Sequence, residues 1–122
     1  MEGKWQSLDG SAFEYWKLDN TSLEGLSFIT SDSAGKPELQ ERLSIFKRGS
    51  KFIFEANPLK QSKTEFEIVA SDPSFFRAEN EKHDFPKWIM YKVSKTRDSM
   101  VARIGDETKS YDFVFVKSPV KE

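Results

Sequence analysis

The chain contains no cysteine and only one histidine, His83. Without cysteine, the fold cannot rest on disulfides or on thiolate-held metals. With one histidine and no tight spacing of ligand types, Glu14, Glu41, His83 and Asp84 do not make a metal motif. A haem on His83 is disfavoured by its loop setting beside Asp84. No cofactor is therefore expected. No apolar run approaches the ~20 residues of a membrane span. The opening Met1-Glu2-Gly3-Lys4-Trp5-Gln6 lacks the apolar stretch of a signal peptide. A soluble, cytoplasmic protein is the expectation. Neither sign of charge is in excess: 19 Lys and Arg face 20 Asp and Glu, for a net charge of −1. That balance gives no electrostatic reason to expect nucleic acid or an anionic membrane as a partner. Finally, no ten-residue helical pattern occurs anywhere.

What the chain does have is phenylalanine, 11 residues in 122, in segments that alternate with period two. Such segments read as strands. They run 11–18, 22–30, 38–47, 51–56, 63–70, 74–80, 87–94, 99–104 and 109–117, separated by turn signals such as Asp19-Asn20, Arg48-Gly49-Ser50 and Ser71-Asp72-Pro73. The richest loop signal is Ser31 to Pro37, and Ser118 to Glu122 read as a tail. Met1 to Gly10 reads as a short polar segment closing one end. Short connections make neighbours antiparallel, and this many strands must close on themselves to hide their edges. The expected fold is a single all-β domain over 1–122, an antiparallel up-and-down barrel of eight to nine strands. A two-sheet sandwich is the alternative.

Parity along each strand separates inside from outside. Phe52, Phe54 and Ala56 share a face, as do Phe66 and Ile68; Met100, Ala102 and Ile104; and Tyr111, Phe113 and Phe115. Two of the inward sets include an acid. Glu14 lies with Ala12, Trp16 and Leu18, and Glu41 with Leu39, Leu43 and Ile45. A buried carboxylate without partners costs several kcal/mol, on the order of the desolvation penalty, or becomes neutral. The inward partners on offer are His83, Asn80, Tyr91 and Trp16, with Arg77 or Arg103 as a further candidate. A polar cluster of Glu14, Glu41, Asn80 and His83 inside an aromatic barrel follows. Gly25, inside its strand, suggests a bulge, a bend or the close approach of another backbone.

The run Glu79-Asn80-Glu81-Lys82-His83-Asp84-Phe85-Pro86, followed by Ile89 and Tyr91, resembles the signature of an uncharacterised bacterial family of lipocalin-like (calycin-type) barrel domains. Glu14 with Trp16, Gly25, Glu41-Arg42-Leu43-Ser44-Ile45, Phe54 to Pro58 and Asp98 to Ile104 extend the resemblance over nearly the whole chain. Glu81 stands where that family has proline, and Trp88 where it favours a polar or basic residue. The resemblance implies a lipocalin-like barrel. It brings no known reaction.

Three functions are open to such a chain. One is a binding barrel for a small apolar or amphipathic ligand, with Glu14, Trp16, Glu41, Asn80, His83 and Tyr91 as ligand-binding residues. Another is a small hydrolase or isomerase, with His83, Asp84 and Glu41 as catalytic candidates. The third is a structural or interaction barrel with a filled core. Trp88 and Met90 fall on the outward parity and suggest a homodimer face.

Overall fold

A computed structural model describes residues 1–30 and 37–118. The loop signal at 31–36 and the tail beyond Ser118 lie outside the described residues. Ten strands follow one another: β1 (Gly3–Ser7), β2 (Ala12–Asp19), β3 (Ser22–Thr30), β4 (Pro37–Arg48), β5 (Lys51–Pro58), β6 (Thr64–Asp72), β7 (Phe75–Glu79), β8 (Trp88–Val93), β9 (Ser99–Gly105) and β10 (Ser110–Ser118). Each pairs antiparallel with its neighbour in sequence, and β1 pairs with β10 to close the barrel. The fold is thus an all-β up-and-down closed barrel. No helix occurs among the described residues, so none is long and apolar enough to cross a membrane.

The strand count corrects the sequence reading from eight or nine to ten. The additional strand is β1, within the segment read as a polar end-piece. Its one large apolar residue is Trp5, which is 1% exposed. The Trp5 indole Nε1 donates to the Met1 carbonyl at 2.8 Å. A single inward tryptophan anchors the strand without producing any visible alternation.

Turn chemistry follows the sequence. Asn20, at φ 60°, joins β2 to β3, and Gly49, at φ 63°, joins β4 to β5. Asparagine and glycine are the residues that take the left-handed region most easily.

The inward face holds an aromatic cluster centred on Phe54. Its ring lies 6.3 Å from Phe66, 5.7 Å from Phe76 and 5.9 Å from Tyr91. Phe76 stacks on Tyr91 at 5.3 Å, and Trp16 meets Tyr91 edge-on at 6.0 Å. Gly25 faces Trp16 across the β2–β3 ladder. A β-carbon on Gly25 would lie 2.9 Å from three atoms of the indole. The glycine therefore makes room for a ring, where the sequence suggested a bulge, a bend or a neighbouring backbone. The bulge falls elsewhere. Register slips between Ser27 and Phe28 as Glu41 gives way to Leu39, leaving Gln40 as the extra residue in β4. Leu39 is thereby set opposite Phe28, which stacks with Phe13 at 4.9 Å beneath the Lys4 ammonium. Parity alone grouped Leu39 with Glu41, and the bulge separates them.

Inward parity does not by itself bury a side chain. Leu18, Phe52 and Tyr111, near strand ends, and Phe113, midway along β10, all share it and are exposed. On the outside, Trp88 and Met90 are half-buried. The Arg77 guanidinium lies 4.5 Å over the Trp88 ring. A neighbouring strand thus covers the tryptophan within one chain, so this face lends no support to the expected homodimer.

Candidate functional site

The aromatic cluster fills only part of the barrel. Toward the end that carries the β5–β6 and β7–β8 loops, it gives way to a cavity of about 350 Å³. Its apolar lining includes Leu43, Phe54, Phe66, Ile89, Phe113 and Phe115. Half-exposed Phe113 and the exposed Gln61 and Ser62 mark the mouth. Glu14, Glu41, His83 and Tyr91 also line the chamber, and no lysine or arginine does so among the described residues.

The two glutamates reach the cavity through one row of the sheet. Register pairs Trp5 with Glu14, Glu14 with Ser27, Ser27 with Glu41 and Glu41 with Pro58. Cross-strand partners project to the same side, so both acids face the lumen on either side of a small serine. Two inter-strand spacings, on the order of 10 Å, separate their backbones.

Glu14 is the one buried charged residue among those described. Its Oε1 accepts from Trp16 Nε1 at 2.9 Å, and the Tyr91 hydroxyl donates to both carboxylate oxygens at 3.0 and 3.1 Å. Burial pushes the Glu14 carboxyl up to about 7, and the charge of Glu41 adds to the rise. The bonds from Trp16 and Tyr91 act the other way and hold it from rising further. Burial, and then the adjacent Glu14, raise the Tyr91 hydroxyl well above its usual range. Tyr91 therefore stays protonated and donates.

Glu41 has a different environment. It is half-buried, and burial raises its carboxyl. Yet no donor from the described residues reaches it, and none of their polar side-chain atoms is fully buried without a partner. Its acceptor oxygens thus face the open chamber.

His83 belongs to the β7–β8 loop. Its backbone N–H donates to the Asn80 carbonyl, its Nδ1 lies 2.8 Å from the Pro86 carbonyl, and its ring meets Phe66 edge-on at 5.7 Å. A carbonyl only accepts, so Nδ1 carries the hydrogen and Nε2 remains as the other ring nitrogen. Asp84 is exposed, and no bond links it to His83. The adjacent pair is not an oriented dyad.

Asn80 does not line the cavity. Its Nδ2 donates to the Glu65 carbonyl at 2.9 Å and its Oδ1 accepts from the Lys82 N–H at 3.0 Å. It fastens the loop to β6. β7 ends at Glu79, one residue before it, so its inward parity stops at Ala78. Trp16 also stays out of the lining; it lies under Glu14 as a donor and a wall. Of the six residues expected to contact a ligand, Glu14, Glu41, His83 and Tyr91 share the chamber. Trp16 and Asn80 support it from outside.

Sequence reading missed the polar lining at Ser27, Gln61, Ser62 and Thr64. Ser27 shares the parity of Gly25 and could have been found by that signal. Residues 61 and 62 lie in a polar loop that nothing in the sequence distinguishes. Among the described residues, no three histidine, aspartate or glutamate side chains converge as a metal would require. No family model, no curated protein and no solved structure matches the chain.

Proposed function

We propose that this chain is a lipocalin-like barrel of the calycin type that binds a small, partly apolar molecule. Its hydrocarbon part would lie in the aromatic chamber and its polar end would meet Glu14, Glu41 and Tyr91. The observation that carries this reading is the chamber itself. At about 350 Å³ it falls at the lower end of the ~300–1,000 Å³ typical of small-molecule sites. It also combines an apolar wall with a few convergent polar groups, as such sites do. A barrel with a filled core would leave no such space. The enzyme reading has less behind it, because Asp84 is turned out to solvent and the His83 Nδ1 is taken up by Pro86.

Native mass spectrometry of protein purified without refolding tests the proposal. A bound species of small-molecule mass, lost when Ala102 in the lining is replaced by a bulky residue (Ala102→Phe), is the expected result. Failure to retain any molecule, together with no thermal shift on adding short alkyl amphiphiles, would overturn it.

A further inference from the structure

The chamber's charge defines the kind of head group it accepts. Glu14 and Glu41 point into it from β2 and β4, and no basic side chain among the described residues lines it. An anionic head group would enter beside two acids with no cation to offset them, an arrangement that a low-dielectric interior makes costly. Glu41 offers acceptor oxygens that no described protein donor fills. The Tyr91 hydroxyl is already spent on Glu14. What Glu41 lacks among the described residues is therefore a donor, and an ammonium supplies three together with a positive charge. The aromatic lining at Phe54, Phe115 and Tyr91 is compatible with the same choice, since aromatic rings attract a cation at their faces.

Building on the binding reading above, we infer that the ligand class is an amphipathic organic cation: an alkyl or arylalkyl amine whose ammonium is held between Glu14 and Glu41, with its hydrocarbon toward Phe113 and Phe115. Ser27, between the two acids, is small enough to leave the space open. Among the described residues, the other elements around this space line it with no lysine or arginine: β5 contributes Pro58, β6 Thr64, β8 Tyr91, and the β7–β8 loop His83. Burial has raised both carboxyls, and an ammonium between them would relieve that cost.

A matched series separates head group from chain. Octylamine, 1-octanol and octanoate are titrated into the protein by calorimetry at pH 8 and low salt. Octylamine is expected to bind at least about tenfold more tightly than octanol, with octanoate weakest. In Glu41→Gln the advantage of the amine over the alcohol should fall to within about threefold. Octanoate binding as well as octylamine, or an amine preference that survives Glu41→Gln, would overturn the head-group inference and leave the cavity reading standing. Failure of all three to bind would overturn the cavity reading, and the inference with it.

Discussion

The Tyr91 hydroxyl crosses the barrel to the Glu14 carboxylate at 3.0 Å, joining β8 to β2, strands that are not neighbours in the sheet. The two residues are 77 positions apart. The bond is buried, ties opposite walls together, and lies beneath the chamber in which a ligand would sit. Several measurable properties follow from it and from the packing around it.

The first is pH dependence. Folding raises the Glu14 carboxyl from an ordinary 4.5 to about 7, so between those values the native state holds more protons than the unfolded chain. Stability is then full below the unfolded value and declines as pH rises through the folded one. Glu41, also raised, adds to the decline. The loss between pH 5 and 8 is expected to approach roughly 3 kcal/mol. Below pH 4 the trend reverses, because hydrogen bonds to Asp9, Asp72, Asp98 and Asp106 hold those carboxyls down. Urea unfolding at a series of pH values should show the maximum near pH 5, and Glu14→Gln should flatten the fall toward pH 8. A wild-type profile that rises from pH 5 to 8 would contradict the assignment.

Replacing Tyr91 with phenylalanine keeps the ring stacked on Phe76 and removes only the donor. At pH 8 the buried carboxylate loses one of its two donors, and the cost is expected to be about 1–3 kcal/mol. At pH 5, where Glu14 is neutral, the cost should shrink. Equal losses at the two pH values would mean that the hydroxyl matters for packing and not for the charge.

Gly25 and Gly49 should respond differently to alanine. At Gly25 the added methyl meets the rigid Trp16 ring at 2.9 Å. Overpacking of that kind costs about 1–3 kcal/mol, seen as a fall of several degrees or more in Tm. At Gly49 nothing lies within 4 Å, but φ is +63°. The penalty there is conformational, about 1 kcal/mol, and Gly49→Asn should recover much of it. Recovery by asparagine at Gly25 would refute the steric account.

Asn80 holds the β7–β8 loop to the Glu65 carbonyl. Asn80→Ala is expected to cost about 1–2 kcal/mol and to speed amide hydrogen exchange in residues 80–87 more than in the strands. Uniform exchange across the barrel would place its role elsewhere.

Nine of the ten strands were legible because each carries several inward apolar residues, and repetition is what makes alternation visible. β1 carries one, Trp5, and so left no pattern. The inward aim of Glu14 and Glu41 was legible for the same reason: each sits mid-strand among apolar residues of like parity. Leu39 was misassigned because a bulge is a property of two strands in register, and Gln40 bears no mark of it. Asn80 was misassigned because parity was extended one residue beyond the last residue of β7. The partnering of His83 with Pro86 instead of Asp84 arises from the path of the loop, which side-chain types alone do not determine.

The ring of strands is sealed by the pairing of β1 with β10, the first and last segments of the described chain. A ribosome delivers β1 before every other strand of the ring and β10 after them all. Until Ser118 has emerged, the free flank of β1 has no partner, and every shorter nascent chain presents an open sheet with bare backbone donors and acceptors. Closure is therefore a late, long-range event, and topologies of this kind fold on the millisecond-to-second scale. During that interval the growing chain is most exposed to pairing with another copy of itself.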